Sequence, residues 1–395
     1  MTDRLYYRNS ALLTFEAEIV DTGAFENRFY TVLDRSAFYP TSGGQLFDTG
    51  TLNEIAVIDV IESEDKEVLH ITEVPVGKEG DTVTGKVDKQ RRLKNRQVHT
   101  AQHILSQAFI KVCGAETVSV HLGEEYATIE LNAADISDDN LLKTEKLANK
   151  VVEDNLPVDI IFADDELLKY LPIRKIPERE GELRVIKIGD FECSACGGTH
   201  CNRTAEVGFI KIVGTEKIRG HVQIKFLAGN LALMDYMNRF MVTNRLSKAF
   251  TCHVNDLPDK IEKLTQDYKT AQKKITQLQK ELLPARAELL AGEAKMAGKV
   301  KACCRIISDL DNNAVNFLTA LVADKIKGLA LFMTGEWLFL AVADKTPFDA
   351  GELMKQLALQ MQLKGGGSRK AAQAGGIEPD KFEEYKDFIL KLVNE

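Results

Sequence analysis

Two short motifs hold the side chains best suited to bind a metal ion: His99-Thr-Ala-Gln-His103 and Cys196-Gly-Gly-Thr-His200. Each motif offers two ligands four positions apart, and together they supply one thiol and three imidazoles. Side chains at positions i and i+4 of a helix share one face, so both imidazoles of the first motif can point at one ion. Zinc favours thiolate and imidazole in a tetrahedral set. The sequence therefore predicts one Zn²⁺ held by His99, His103, Cys196 and His200.

Two predicted elements would position these ligands. An apolar stripe formed by Ile104, Leu105, Ala108 and Phe109 predicts a helix from Gln97 to Val112. The apolar run Val185-Ile186-Lys187-Ile188 predicts a strand ahead of the second motif. The two glycines that follow Cys196 allow a tight loop, which would turn its thiol and the imidazole of His200 the same way.

A structural zinc knuckle is the alternative arrangement, because Cys193-x2-Cys196 is itself a zinc-like spacing. Its ligands would be Cys193, Cys196, His200 and Cys201, all within nine residues. We favour the site built from the two separated pairs, because the sequence has no second Cys-x2-Cys pair.

Several motifs in this order resemble those of alanyl-tRNA synthetases. The two metal motifs, with Gly189-Asp190-Phe191 and Gly208-Phe-Ile-Lys-Ile-Val, resemble the synthetase editing domain. The stretch Phe38-Tyr-Pro-Thr-Ser-Gly-Gly-Gln45, with Asp48-Thr-Gly50, resembles the glycine motif of these proteins. The stretch Gly365-Gly-Gly-Ser-Arg369, with Ala372-Gln-Ala-Gly-Gly376, resembles the terminal DHHA1 domain. With no aminoacylation domain ahead of them, these segments resemble the free-standing alanyl-tRNA editing proteins of the long AlaX type.

The resemblance implies a zinc-dependent aminoacyl-tRNA deacylase, an ester hydrolase that acts on mischarged tRNA(Ala). Serine would be its first substrate and glycine its second. Zinc can lower the pKa of a bound water toward about 7 and polarise a carbonyl group. Four tight protein ligands would close the site, so we expect His200 to be the ligand that yields to water or substrate. Alternatively, zinc anchors the amino acid and the hydroxyl of the tRNA activates the water.

Substrate contacts are predicted in two segments. A site that hydrogen-bonds the serine hydroxyl would reject alanine, because its polar groups would then stay unpaired. Candidates for this contact lie in the strand predicted after the first helix, at Thr117, Ser119 and His121. The glycine motif would hold the RNA end or the rim of the pocket through Gly43, Gly44 and Gln45.

The net charge of −8 does not favour RNA binding by itself, since phosphate contacts need Lys and Arg. A basic stretch leads into the first metal motif, however, and would guide a tRNA end toward the metal. Its candidate RNA contacts are Lys89, Arg91, Arg92, Lys94 and Arg96. A second candidate patch near the terminal glycines comprises Lys364, Arg369 and Lys370.

The 395 residues predict an α+β multidomain protein. We expect a small β-barrel over 1–88, an α+β zinc-containing editing domain over 89–232, a helical coiled-coil arm over 233–298 and a C-terminal α/β domain over 299–395. The arm carries a heptad seam from Leu257 to Leu282, and Pro284 would kink or end its helix. The seam would pair with the helix predicted over 231–250 or with a second chain. A homodimer would form through this coiled coil or through the C-terminal domain.

The cysteine content favours a reducing compartment, because seven cysteines, two of them adjacent, do not look like a disulfide framework. No signal peptide or membrane span is predicted, so we expect a cytoplasmic protein. Two alternative functions stay open. A metal-dependent hydrolase of another ester or of a nucleotide is suggested by the terminal domain shared with DHH phosphoesterases, but it is disfavoured because no Asp-His pair occurs in the chain. A non-catalytic RNA-binding module with a structural zinc is the other.

Overall fold

The computed structural model describes residues 2–173 and 181–394. The chain divides into two compact units, Met1–Leu246 and Ser247–Glu395. The first unit contains a closed barrel and an α+β layer, and the second is built on one mixed sheet. These observations confirm a mixed α+β multidomain architecture. The boundaries predicted at 88, 232 and 298 stay predictions.

The barrel closes in the strand order β2-β3-β7-β6-β5-β8, and its neighbouring strands are antiparallel. Alternation along β2 turns Phe15, Ala17 and Ile19 into the barrel core. A short parallel pair, β1 with β4, lies outside it. The strands are β1 (Asp3–Arg4), β2 (Thr14–Phe25), β3 (Arg28–Leu33), β4 (Arg35–Ser36), β5 (Gly50–Leu52), β6 (Ile55–Glu62), β7 (Val68–Thr72) and β8 (Thr82–Val87).

The helix that carries the first metal motif is α1 (Lys89–Cys113). Asp88 caps its start, because the carboxylate accepts a hydrogen bond from the backbone N–H of Arg91. Gly114 ends the helix in the left-handed conformation, with φ 70°. The predicted helix is therefore confirmed, and it begins eight residues earlier than Gln97 because Asp88 supplies the cap.

Two antiparallel sheets complete the first unit around α1. A four-stranded sheet has the order β14-β15-β10-β9, and a three-stranded sheet has the order β11-β12-β13. The strand predicted at Val185 to Ile188 is confirmed within β12. The elements are β9 (Thr117–Leu122), β10 (Ala127–Leu131), α2 (Asp138–Glu153), β11 (Val158–Ala163), α3 (Asp165–Leu168), β12 (Leu183–Ile188), β13 (Glu192–Ala195), β14 (Ile210–Ile218) and β15 (His221–Ala228).

Two long helices follow, α4 (Asn230–Phe250) and α5 (Leu257–Gly292). Helix α5 continues through Pro284, so this proline does not end the helix. Seam residues of α5 such as Leu264 and Tyr268 are exposed, by 55% and 64%. The coiled coil and a homodimer built on it therefore stay predictions. No helix within the described ranges is long and apolar enough to cross a membrane.

The second unit has a six-stranded sheet with the order β16-β17-β18-β19-β21-β20, in which only β17 and β18 run parallel among the described pairs. One apolar cluster joins the end of α5 and α6 to the sheet, and another joins it to α7 and α8. The elements are β16 (Lys295–Ala297), β17 (Val300–Ile306), α6 (Asn312–Ile326), β18 (Leu329–Thr334), β19 (Trp337–Val342), α7 (Ala350–Gln360), β20 (Lys364–Gly367), β21 (Ala371–Gly375) and α8 (Phe382–Asn394).

A buried ion pair joins the barrel to α1. Arg92 and Asp48 are 1% and 0% exposed, and their closest nitrogen and oxygen atoms are 2.5 Å apart. The guanidinium also donates to the carbonyl oxygens of Ser10 and Ala37. The Asp48 carboxylate accepts the backbone N–H of Tyr39 as well. The pair therefore fixes where α1 starts relative to the barrel.

Breaking this pair should destabilise the first unit. Asp48→Asn leaves the Arg92 cation buried without its anion, and we expect the free energy of unfolding to fall by about 3–5 kcal/mol. Glu54→Gln, which breaks the exposed pair with Lys86 on the same barrel, should change it little. Urea unfolding of the full chain measures both variants. Equal effects of the two substitutions would contradict the assignment of Arg92 and Asp48 as the junction.

Candidate metal centre

The structure brings together the two pairs of residues that the sequence motifs supply. His99, His103, Cys196 and His200 each offer one ligand atom, and these atoms all lie within 4.8 Å of one another. The Cys196 Sγ lies 3.4 Å from the Nε2 of His99 and 3.3 Å from the Nε2 of His200. This cluster could hold a metal ion.

Helix α1 and the loop after β13 position the four side chains. One helical turn separates His99 from His103, and their ring centroids are 5.3 Å apart. The ring of His200 enters from the loop and lies 4.5 Å and 4.7 Å from those two rings. Three of the four ligands are buried, and Cys196 alone is half-buried.

Each imidazole is held at its Nδ1 atom by a different neighbour. The Nδ1 of His99 lies 2.7 Å from the Oε1 of Gln45, and that of His200 lies 3.2 Å from the Oγ1 of Thr100. The Nδ1 of His103 lies 3.1 Å from the Oγ of Ser194 and 3.4 Å from Glu192. Such partners fix the ring orientation and leave Nε2 for a metal, as is usual around metal-binding histidines.

The charges of the cluster favour a thiolate. Burial raises the pKa of the Cys196 thiol, but His99, His200 and His103 oppose it and hold that pKa well below its usual range. Burial lowers the pKa of His200, which favours a neutral ring. Burial also lowers the pKa of His103, but Glu192 and Cys196 outweigh it and raise the pKa to about 10. Metal binding at His103 would therefore displace a proton.

The alternative knuckle is not assembled. Cys193 and Cys201 are buried in two separate apolar clusters. Burial raises the pKa of Cys201 to about 12, which disfavours its thiolate. Among the described residues, the group suited to a metal contains neither of these cysteines.

The glycine motif lies between the cluster and the edge strand β9. The carbonyl oxygen of Gly44 accepts the N–H of Leu122, and a Cβ at Gly44 would lie 2.7 Å from the carbonyl oxygen of Val120. Gln45 is fully buried, and its side chain also meets Thr199. Its contacts are those of a residue that positions His99, whereas the sequence offered it as a substrate contact.

The other predicted substrate contacts lie on or beside β9. The Oγ1 of Thr117 is 2.7 Å from the Oγ of Ser106, a residue of α1. Ser119 and His121 are exposed on this strand, and Gly43 is exposed in the turn before Gln45. Their roles stay predictions.

Two of the predicted RNA contacts are corrected by their burial. Arg92 forms the junction with the barrel, and Arg96 is 7% exposed and donates to the carbonyl of His200 and to Glu206. The guanidinium of Arg92 cannot meet a phosphate without breaking these contacts, because all three of its nitrogens donate within the fold. Arg91 and Lys94 both pair with Glu124, which offsets their charge.

The remaining basic candidates lie at the surface. Lys89 is exposed at the start of α1, and Lys364 and Arg369 are exposed in the second unit. Lys370 pairs with Asp344 there. The clustering of Lys and Arg in the sequence does not indicate which of these side chains are exposed and which are buried.

Sequence reasoning missed the side chains that orient the three imidazoles. Thr100, Glu192 and Ser194 each lie within a few positions of a ligand in the sequence. Their position next to the ligands in the sequence was the one signal that they could contact the metal site. The pairing of Gln45 with His99 spans 54 residues, and no local pattern indicates it.

The fold and the cluster together define a multidomain α+β protein with a buried histidine–cysteine centre. The sequence model of tRNA synthetases class II (A) matches residues 3–91. That of the threonyl and alanyl tRNA synthetase second additional domain matches residues 183–223, and that of the DHHA1 domain matches residues 296–395.

The matching relatives are named for alanyl-tRNA. The chain is 29% identical over its full length to the alanyl-tRNA editing protein AlaX-L of Pyrococcus horikoshii, and it covers 98% of that protein. It is 30% identical to an alanine–tRNA ligase of Methanopyrus kandleri and 29% identical to one of Archaeoglobus fulgidus. It spans only 44% of the length of each of these two ligases.

The resemblance drawn from the motifs is therefore confirmed. The chain is similar to part of the alanine–tRNA ligases and, along its whole length, to a protein named as an alanyl-tRNA editing protein. Among solved structures, the C-Ala domain of the Aquifex aeolicus alanyl-tRNA synthetase is 17% identical to this chain. The match covers 26% of this chain and 98% of the C-Ala domain, with a TM-score of 0.24.

The two glycines of the second motif differ in what they tolerate. A Cβ at Gly198 would lie 2.0 Å from the Cε1 of His99, whereas a Cβ at Gly197 would meet only the ring of Tyr7, 3.5 Å away at the hydroxyl. We expect Gly198→Ala to lose bound metal and Gly197→Ala to retain it. Metal analysis after gel filtration measures both. Full metal content in Gly198→Ala would show that the cluster does not need this close approach.

Gln45 should be required for its acceptor oxygen. Gln45→Leu removes the contact with the Nδ1 of His99, and we expect metal affinity to fall by about 10–100-fold. Gln45→Glu keeps an oxygen there and should restore most of the affinity. Competition with a chromophoric chelator measures both constants. Equal loss in the two variants would indicate that Gln45 acts by shape alone.

Proposed function

We propose that this chain is a zinc-dependent aminoacyl-tRNA deacylase that removes serine, and secondarily glycine, from mischarged tRNA(Ala). The observation that carries the proposal is the buried cluster of His99, His103, Cys196 and His200. The proposal is supported by the full-length similarity to a protein named as an alanyl-tRNA editing protein. The substrate class comes from that similarity, and the chemistry comes from the cluster.

The donor set fits zinc. One thiolate and three imidazoles are ligands that Zn²⁺ accepts at structural and catalytic sites. When bound, zinc supplies positive charge that polarises an ester carbonyl and lowers the pKa of a water. The chain's own residues hold the ligands, since Gln45, Thr100 and Ser194 each orient one ring.

Access to the cluster favours the Cys196 side. His200 is 1% exposed and His99 is 4% exposed, whereas Cys196 is half-buried. The sequence favoured His200 as the ligand that yields to substrate. Its enclosure makes that exchange harder, so we propose that the aminoacyl ester approaches beside Cys196.

Selection of serine over alanine would use hydroxyl groups near α1 and β9. The Oγ of Ser106 contacts the Oγ1 of Thr117 and accepts from the amide of Gln102. Ser119 is exposed on the same strand. If the hydroxyl of a bound serine hydrogen-bonded to the Ser106–Thr117 pair, the site would favour serine over alanine, because alanine has no side-chain group that can form this bond. The exposed cations Lys89, Lys364 and Arg369 are the proposed phosphate contacts.

Deacylation of tRNA(Ala) charged with serine, glycine or alanine tests this function. We expect rapid loss of serine, slower loss of glycine and no loss of alanine. A chelator or His103→Ala should reduce all loss to background. His221→Ala is the matched control, because His221 pairs with Glu130 outside the cluster and should leave the rates unchanged.

Stable charge on all three tRNAs would contradict the proposal. With one zinc per chain still present, that result would favour the alternative of a non-catalytic, zinc-containing RNA-binding module. Loss of serine that persists in the chelator and in His103→Ala would instead move the catalytic site away from the cluster.

A further inference from the structure

The loop that carries Cys196 and His200 is held at alternate carbonyl groups by two buried arginines. Arg184 of β12 donates from Nη1 to the carbonyl oxygens of Cys196 and Gly198, at 2.5 Å and 3.0 Å. Arg96 of α1 donates from Nε to the carbonyl oxygen of His200 at 2.8 Å. The backbone of this loop is therefore fixed by side chains from both flanking elements.

Arg184 occupies an unusual place for a cation. It is 7% exposed, and within the described ranges its Nη2 has no hydrogen-bond partner. The hydrogen bonds that it does make go to carbonyl oxygens rather than to a carboxylate. Its Nε donates to the carbonyl oxygen of Tyr7 at 3.0 Å, and its guanidinium carbon lies 5.3 Å from the centre of the Tyr7 ring. Burying a cation without a carboxylate partner is costly, so stability alone does not explain Arg184.

Arg184 supplies rigidity that the glycine-rich sequence of the loop does not provide. Gly197 and Gly198 leave the chain between the two ligands free to adopt many conformations, and ordering glycine costs more entropy than ordering other residues. The Nη1 of Arg184 bridges the carbonyls on both sides of Gly197. The same side chain ties the loop to the N-terminal turn through Tyr7.

We propose that Arg184 is a positioning residue that holds the Cys196–Gly198 loop in its ligand-binding conformation before any metal binds. This proposal rests on the metal centre within the proposed function and does not depend on the substrate. The thiol of Cys196 then already lies beside the three imidazoles, and the loop does not need to change conformation when the metal binds. The guanidinium is suited to this role because a lysine cannot bridge the loop and Tyr7 from one planar group.

Three variants test the proposal in the full chain. Arg184→Gln removes the charge and the fork, and Arg184→Lys keeps the charge alone. Arg286→Lys is the control, because Arg286 makes a forked contact with Asp309 in the second unit and touches no part of the metal cluster. The readouts are zinc affinity, by competition with a chromophoric chelator, and the thiolate-to-metal absorption band of Co²⁺-loaded protein.

Arg184→Gln should weaken zinc binding by about 10–100-fold and reduce the thiolate band, as loss of supporting contacts does at other metal sites. The zinc affinity and the thiolate band of Arg184→Lys should lie between those of Arg184→Gln and those of the unaltered chain. Arg286→Lys should leave zinc affinity and the thiolate band unchanged. Where the unaltered chain deacylates tRNA, the Arg184 variants loaded with saturating zinc should have a lower kcat and a KM that changes less.

Hydrogen exchange of the metal-free protein tests whether the loop is formed in advance. The N–H groups of Thr199 and Cys201 are bonded to Gln45 and Thr100 and should exchange slowly after chelation. In Arg184→Lys they should exchange faster. Unchanged zinc affinity and exchange in both Arg184 variants would overturn the proposal. If Arg184→Gln does not fold, Arg184→Lys decides the outcome, and none of these binding readouts depends on deacylation.

Discussion

Three imidazoles can meet one sulfur only if each ring turns a nitrogen inward, and with Nδ1 held by other partners that nitrogen is Nε2. In this protein the turning is done at Nδ1, by Gln45 for His99, Thr100 for His200 and Ser194 with Glu192 for His103. These partners come from the glycine motif, from α1 and from β13. The metal centre therefore depends on the correct assembly of the barrel, the helix and the small sheet.

That assembly relies on buried arginines. Arg92 fixes α1 to the barrel through Asp48, while Arg96 and Arg184 fix the loop that carries the other two ligands. Each guanidinium binds backbone carbonyls that lie far away in the sequence. Because Arg92 and Arg96 are withdrawn from solvent, these two of the five basic residues ahead of the metal motif serve the fold.

Local patterns predicted the elements well, and long-range packing explains what they missed. The i, i+4 spacing in α1 and the apolar run in β12 each identify an element, because these periods are properties of the backbone. Exposure of Lys89 and burial of Arg92 could not be separated, since that difference depends on the barrel carboxylate of Asp48, 44 residues away in the sequence. The link from Gln45 to His99 was hidden for the same reason.

Three imidazoles and one thiolate are proposed to bind a single zinc ion. X-ray absorption at the zinc edge of the full chain measures the ligand atoms directly. This ligand set predicts three nitrogen neighbours at about 2.0–2.1 Å and one sulfur at about 2.3 Å. Two or more sulfur neighbours would contradict it and favour a knuckle that uses Cys193 or Cys201.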